Sequence, residues 1–202
     1  MIRAAFMILT ACALLPGAMA ADPCLGIAEQ RLKSSVDKVV DVAKASGDRQ
    51  ALIAGVKPVL EDILSFETMT RRAIGPGWKA FTPDQQKEAV RLFTILILRT
   101  YTAKFTPGEY PSVLYKPSAS PSPGRVEIPT TALYKGSRYE VIYRLENRSP
   151  VPDHPQDWMI TDVVIEGVSM VGSYRSQFDE EDKKGGPKAV LEALGRSANQ
   201  AP

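Results

Sequence analysis

The pattern of apolar residues predicts an α+β fold in which N-terminal helices pack on a twisted antiparallel sheet and a C-terminal helix follows. Three observations support this fold class. Apolar residues recur at helical spacing through the first half of the chain, to about residue 104. Apolar and polar residues then alternate in segments between residues 112 and 171, as in strands. A glycine–proline pair at residues 186–187 opens a last helix.

The N-terminus has the pattern of a secretory signal peptide. Arg3 precedes an apolar run over residues 4–15, and small residues at positions 18 and 20 form a cleavage site. The run is too short to cross a bilayer, which takes about 20 residues. We therefore expect cleavage after Ala20 and export to the periplasm. An uncleaved anchor, or a lipoprotein cut before Cys12, is the alternative.

The expected mature chain, residues 21–202, is long enough for one domain with its own core. It keeps Cys24 as its single cysteine, which excludes an internal disulfide. The full chain of 202 residues is 44% hydrophobic with a net charge of +2, which argues against disorder and against an electrostatic nucleic-acid binder.

Three helices are predicted before residue 82. The first covers residues 30–44, and the second follows a break at residues 46–48 and is bent or restarted at Pro58. The third covers residues 66–74 and ends at Gly75-Pro76-Gly77, where proline and glycine cannot continue it.

The fourth helix has the clearest start. Thr82 can cap it, Pro83 suits its first position, and Gln85 completes a capping box. Its centre, residues 92–98, is apolar around most of its circumference. We expect this helix to be buried on several sides, either as the central core helix or as one wall of an apolar cavity.

Strands are expected over residues 112–115, 125–133, 138–146 and 158–171. Pro129 interrupts the second and suggests an edge strand. Residues 116–124 are rich in proline and serine and are expected to form a loop. The last strand has apolar residues on both faces, with Trp158, Ile160 and Val164 expected on one and Met159, Val163 and Ile165 on the other.

Groups suited to catalysis are scarce in this sequence. The one histidine, His154, lies in a proline-bearing loop. The segment around Ser169 breaks the G-x-S-x-G pattern at its last position, and no histidine nearby in sequence could act as base. Cys/His zinc sites and a dinucleotide loop at residues 75–77 are also disfavoured. We therefore expect a protein that is not an enzyme and needs no cofactor.

The apolar and aromatic residues that remain have two interpretations. They form either a well-packed core or a cavity for a hydrophobic ligand, whose walls are apolar with few polar groups. Composition and periodicity do not separate these two interpretations.

Two stretches resemble the periplasmic carriers of the Mla phospholipid-transport system, the MlaC family with its toluene-tolerance relatives. The first runs from F-E-T-M-T-R at residues 66–71 to L-R-T-Y at residues 98–101. The second is more specific and reads D-V-V-I-E-G-V-S-M-V at residues 162–171, then Y-R-S-Q-F at residues 174–178. The resemblance extends over roughly residues 30–195.

The resemblance implies a monomeric carrier that holds phospholipid acyl chains in an internal pocket between sheet and helices. Such carriers exchange lipid with an inner-membrane ABC transporter bearing MCE domains and with an outer-membrane lipoprotein–porin complex. They need no metal or nucleotide. A carrier of hopanoid or another polycyclic lipid, and a periplasmic adaptor of a transporter that holds no lipid, are the alternatives.

On this basis we expect lipid-contacting residues on both sides of a pocket. Arg138 is the candidate phosphate contact, and Arg99 and Arg175 are expected to be structural ion-pair partners. Gly167 suggests a bulge or a close backbone approach within the long strand. The expected walls are Trp78, Phe93, Ile97 and Tyr101 from the helices, and Tyr139, Val141, Tyr143, Ile165 and Val168 from the sheet.

Overall fold

A computed structural model describes residues 23–103, 106–149 and 154–200. Its elements follow the predicted order of helices, antiparallel sheet and C-terminal helix, which confirms the α+β fold class. The expected signal peptide and its cleavage site lie outside the described residues, so both stay predictions. The helices are α1 (Pro23–Ala45), α2 (Arg49–Ile63), α3 (Phe66–Ile74), α4 (Pro83–Thr102) and α5 (Met170–Gln200).

Side-chain hydrogen bonds cap the first turns of α2 and α4. The Asp48 carboxylate accepts a hydrogen bond from Ala51 N at 2.8 Å and caps α2. Thr82 and Gln85 form the predicted reciprocal capping box at the start of α4. The α2 helix is continuous through Pro58, so the expected restart there is wrong.

The sheet contains six strands in the described residues, and all pairs of neighbouring strands are antiparallel. They are β1 (Ser112–Tyr115), β2 (Ala119–Ser122), β3 (Arg125–Tyr134), β4 (Ser137–Asn147), β5 (Trp158–Ile165) and β6 (Val168–Ser169). The order is β1-β3-β4-β5-β6, with β2 beside β1 on the same edge of β3. Strand β2 lies inside the segment expected to be a loop, and it pairs irregularly with β3.

Pro129 does not mark an edge strand, because β3 has neighbours on both sides. The β1 register ends at Thr130, and the β2 register begins at Glu127. Pro129 therefore lies between the two short strands. Its carbonyl accepts from Lys116 N at 2.9 Å, and it has no N–H with which to return that bond.

The long strand expected over residues 158–171 is divided by a turn. Glu166 and Gly167 have φ of +50° and +78°, the conformation of a two-residue hairpin turn between β5 and β6. Gly167 is thus a turn residue rather than a bulge. The bulge lies at Thr161 instead, since Leu145 pairs with Ile160 while Arg144 pairs with Asp162.

That bulge changes the face assignment within β5. Upstream of it the expected alternation holds for Trp158 and Ile160. Downstream, Val163 and Ile165 rather than Val164 share their face, because each pairs with a β4 residue of that face. We call this side of the sheet the core face; Val126, Ile128, Val141 and Leu145 define it, and all four are buried.

The α5 helix begins sixteen residues earlier than the predicted last helix, because Asp162 and Ser169 together cap it. The Ser169 hydroxyl accepts from Gly172 N at 2.9 Å and donates to the Asp162 carboxylate at 2.7 Å. Asp162 also accepts from Val171 N at 3.1 Å. The expected start at residues 186–187 is a kink, where Gly186 has φ of +61°.

Candidate functional site

A single transverse row of side chains crosses the core face from one edge of the sheet to the other. Strand register places its members opposite one another on consecutive strands. Directly paired residues project from the same face of a sheet, and neighbouring strands lie about 4.8 Å apart. The row therefore spans roughly 19 Å over five strands. Its members, from β1 to β6, are Tyr115, Thr130, Val141, Ile165 and Val168.

Burial changes along this face in one direction. At the end where β5 begins, the side chains are enclosed; Trp158 is 0% exposed. At the opposite end Val168 is 60% exposed and Tyr139 40% exposed, while Ala132 and Ile165 are half-buried. We call Val126, Ile128, Leu145, Trp158 and Ile160 the sealed end, and Ala132, Tyr139, Ile165 and Val168 the open corner. The open corner is an apolar surface continuous with the core.

All five predicted sheet residues lie on this one face. Tyr139, Val141 and Tyr143 alternate along β4, Val141 pairs with Ile165, and Ile165 pairs with Val168. Burial raises the pKa of the Tyr143 phenol to about 12, so this hydroxyl keeps its proton at neutral pH. The structure thus brings these five residues together, and their contact with lipid stays a prediction.

The four predicted helix residues are divided between different environments. Phe93 is fully buried among aromatic rings of α5, 5.2 Å from Tyr174 and 6.3 Å from Phe178 between ring centroids. Trp78 lies in the 3-10 turn Gly75–Ala80 and stacks on Phe81 at 5.7 Å. Phe93 therefore takes part in packing between α4 and α5, whereas the ring contact of Trp78 is local.

The other two helix residues lie further along α4. Ile97 is buried in the main core. Tyr101 is half-buried at the end of α4, where burial, followed by the nearby Tyr174 and Asp162, raises the pKa of its phenol. The place of these two residues in a lipid pocket stays a prediction.

Arg138 projects from the face opposite the transverse row. It pairs with Leu133 of β3 and lies one residue before Tyr139, which belongs to the core face. Its guanidinium binds the Glu140 carboxylate at 3.0 Å and donates to Thr131 Oγ1 at 3.4 Å. Glu140 also binds Lys116, and these two cations with Thr131 lower its pKa to about 2. Arg138 therefore has acceptors of its own within the protein.

Arg99 and Arg175 hold helix ends through backbone carbonyls rather than through the expected ion pairs. Arg99 donates to Ala198 O at 3.0 Å, and Arg175 donates to Arg72 O at 3.3 Å. Neither has a carboxylate partner among the described residues. The Arg175 guanidinium lies 2.9 Å from where a Cβ of Gly75 would be, and Gly75 has φ of +74°. The backbone conformation therefore favours glycine at this position, whereas the Arg175 guanidinium, at the end of a flexible side chain, can move to make space for a Cβ.

The face opposite the row is polar and balanced in charge. Arg72 and Arg125 bind Glu146 at 2.6 and 3.2 Å, and Arg144 bridges Glu127 at 2.9 Å and the buried Asp162 at 3.1 Å. These six residues line a cleft of about 570 Å³. Each cation has a carboxylate partner there, so the cleft has little attraction for a further charged ligand.

Ser169 and His154 do not form a catalytic pair in the described part of the chain. The Ser169 hydroxyl is committed to Asp162 and to the start of α5, as described above, and His154 is exposed before the short 3-10 turn Pro155–Asp157. The described residues also contain no cluster of three or more histidine, cysteine or acidic side chains able to hold a metal. None of their helices is long and apolar enough to cross a membrane.

Sequence reasoning missed Tyr115, which is the β1 member of the transverse row. Its strand was predicted, but Val113, Leu114 and Tyr115 are all apolar or aromatic, so the sequence shows no alternation that could have placed Tyr115 on the core face. Lys33 of α1 was also missed; its Nζ lies 5.1 Å from the centroid of the Tyr115 ring.

Comparison with known proteins relates the chain to one protein family and to solved structures. Residues 31–196 match the profile of the MlaC protein family. The fold is similar to that of a phospholipid-binding protein from Ralstonia solanacearum, solved in complex with a phospholipid, with a TM-score of 0.76 and 26% sequence identity. The match covers 86% of this chain and 98% of the Ralstonia protein. No curated protein matches the chain significantly.

Proposed function

The chain belongs to the MlaC family, and we propose that it is a periplasmic carrier that binds the acyl chains of a phospholipid over the core face of its sheet. The observation that carries the proposal is the open corner. Four neighbouring apolar side chains stay partly or largely exposed there, although the same face is fully enclosed at its sealed end. The phospholipid bound to the similar Ralstonia protein supports a lipid as the molecule that covers them.

The physical need for such a carrier follows from the hydrophobic effect. A diacyl phospholipid has about thirty methylene groups, each worth about 0.8 kcal/mol when removed from water. Escape of the lipid into free water is thus opposed by on the order of 20 kcal/mol. A protein that replaces the apolar contacts of the membrane with those of Val141, Ile165 and their neighbours removes most of this barrier.

The carrier is proposed to act between two membrane complexes. Its proposed partners are an inner-membrane ABC transporter with MCE domains and an outer-membrane lipoprotein–porin complex. Residues 1–20 are proposed as the signal peptide and residues 21–202 as the single carrier domain. The proposed lipid contacts are the five sheet residues together with Trp78, Phe93, Ile97 and Tyr101. To contact the lipid phosphate, Arg138 would have to release the Glu140 carboxylate that it binds in the free protein.

Native mass spectrometry of the protein purified from a Gram-negative host, followed by lipid extraction, tests this function. We expect a noncovalent adduct of phospholipid mass that disappears under denaturing conditions and is recovered as phosphatidylethanolamine or phosphatidylglycerol. Protein that is bare, and stays bare after incubation with phospholipid vesicles, would contradict the proposal and favour the adaptor. A hopanoid adduct in place of phospholipid would favour the polycyclic-lipid carrier.

A further inference from the structure

The Tyr115 hydroxyl is a buried polar atom without a hydrogen-bond partner among the described residues. It lies at the β1 end of the transverse row, where the neighbouring Thr130 hydroxyl already donates to Val141 O at 3.0 Å. Buried polar atoms are nearly always paired in folded proteins, so this hydroxyl calls for a partner, which is a water molecule in the lipid-free protein or an oxygen of a bound ligand. Burial raises the pKa of this phenol, and the hydroxyl therefore keeps its proton available for donation.

One stripe of α1 lies over this end of the row. Glu29, Lys33 and Asp37 follow one another at intervals of four residues, which places them on one side of the helix. Glu29 accepts from the Ser118 hydroxyl at 2.6 Å, and Lys33 Nζ is 5.1 Å from the Tyr115 ring centroid. Lys33 has no carboxylate within ion-pair distance among the described residues. Arg138 and Lys116, by contrast, both form ion pairs with Glu140.

The transverse row therefore has one polar end and one apolar end. Tyr115 with Lys33 offers two hydrogen-bond donors at the β1 edge, and Val141, Ile165 and Val168 continue as hydrocarbon to the β6 edge. This order of groups is that of a glycerophospholipid, in which ester and phosphate oxygens adjoin the acyl chains.

We infer that Tyr115 and Lys33 form the subsite for an acceptor oxygen of the glycerol-ester or phosphate region of the lipid, an inference that rests on the proposed carrier function. The subsite favours a lipid with an acceptor oxygen beside its acyl chains, such as a glycerophospholipid, over an unsubstituted polycyclic hydrocarbon, which has no oxygen to accept from Tyr115. Asp37 and Glu29 on the same stripe of α1 repel a phosphate but not a neutral ester carbonyl.

Competition between matched lipids tests the subsite. Protein refolded free of lipid is offered equal amounts of a diester phosphatidylglycerol and the diether analogue with the same chains, and native mass spectrometry gives the bound ratio. A second competition compares phosphatidic acid with diacylglycerol of the same chains. We expect the wild-type protein to prefer the diester, or phosphatidic acid, by roughly threefold to tenfold, the range for one net hydrogen bond.

In Tyr115→Phe, we expect the bound ratio to fall close to one in whichever competition the wild-type protein shows a preference. Tyr110→Phe removes a phenolic hydroxyl from an exposed residue and should leave both ratios unchanged. Loss of the diester preference identifies the ester carbonyl as acceptor, and loss of the phosphatidic acid preference identifies the phosphate. Equal ratios in wild type and Tyr115→Phe, in both competitions, would overturn the subsite. If no phospholipid binds at all, the proposed carrier function itself fails.

Stability supplies a second readout that does not depend on the choice of lipid. Tyr115→Phe removes an unpaired buried hydroxyl, so it should raise the urea midpoint of the lipid-free protein and reduce the additional rise caused by phosphatidylglycerol. Lys33→Gln should also reduce that additional rise, whereas Lys38→Gln, five residues further along α1, should not. A Tyr115→Phe protein that is less stable without lipid would contradict an unpaired hydroxyl.

Discussion

The sealed end and the open corner belong to one face of one sheet, yet they differ in what covers them. The junction of α2 and α3 reaches β5 at the sealed end, where Leu64 bridges to Ile160 and Ser65 N donates to Ile160 O at 2.9 Å. Trp158 is completely buried there, while Val168 at the open corner is 60% exposed. The residues are similarly apolar, so composition does not explain the difference in burial.

This difference separates stability from binding. Apolar area that is buried in the free protein stabilises the fold, at about 25 cal/mol per Å². Apolar area left exposed contributes nothing to the free protein and becomes available to a ligand. If the two regions divide these roles, substitutions at the sealed end should change stability and substitutions at the open corner should change lipid binding.

The largest expected effect is that of Trp158→Ala in the sealed end. Removing a completely buried aromatic side chain should lower the free energy of unfolding by about 3–5 kcal/mol, because it leaves a cavity. Urea denaturation of lipid-free protein measures this change. Val168→Ala, on the same face, should change it by less than about 0.5 kcal/mol. Similar losses for both variants would remove the distinction between the regions.

Asp162→Ala should have the next largest effect, about 2–3 kcal/mol, because it leaves Arg144, Ser169 and Val171 N without their common acceptor. Faster amide hydrogen exchange in the first turns of α5 should accompany the loss. Asp84→Asn is the control, since Asp84 is highly exposed and its ion pair with Lys87 is long, at 3.8 Å. Undisturbed exchange in α5 would show that Asp162 does not anchor this helix.

Val168→Glu should leave the free energy of unfolding within about 0.5 kcal/mol of wild type and yet strongly reduce lipid occupancy. A carboxylate at the open corner would have to be desolvated against the acyl chains, which is costly. Native mass spectrometry measures the occupancy. Leu133→Glu places the same charge on an exposed residue of the opposite face and should retain lipid. Full occupancy in Val168→Glu would exclude this position from the binding surface.

The smallest expected effect is that of the charged residues near the open corner on the opposite face of the sheet. Lys116, then Arg138 and Thr131, hold the pKa of Glu140 at about 2, below its ordinary value of 4.5. Because the pKa is lower in the folded state, this stabilisation is complete above about pH 4.5 and is lost as the pH falls toward 2. Glu140 is exposed, so solvent weakens the effect.

Unfolding experiments between pH 2 and 7 on wild type and Glu140→Gln can measure this dependence. The difference between the two proteins should shrink as the pH falls through that window, and salt should reduce it above the window. If the free energies of unfolding of the two proteins differ by the same amount at every pH, the ion pair between Glu140 of β4 and Lys116 at the end of β1 does not stabilise the fold.

Local sequence patterns predicted most elements of the fold. The bounds of α3 and β1, the capping box at Thr82 and the alternation along β4 were all predicted correctly. These features depend on interactions within about four residues along the chain, which a single sequence displays. The family resemblance rests on the same local stretches, and the family match confirms it.

The errors arose where a distant segment decides the outcome. β2 forms in a proline- and serine-rich segment because β3 offers it a partner, and α5 starts at Met170 because Asp162 of β5 binds its first turn. Ile165 joins the face of Trp158 because a bulge at Thr161 adds one residue to the register. In each case the residues that decide the structure are not the residues whose structure was predicted wrongly, so the local pattern does not show the outcome.

Short-range spacing was enough to predict the fold class, most of the helices, the strand pattern of β4 and the motifs shared with the MlaC family. Pairing between distant strands was needed to place Tyr115 and Val168 at the two ends of one transverse row and to turn Arg138 away from it. Strand register is set by pairing between segments far apart in the chain, and a shift of one residue turns every side chain to the other face.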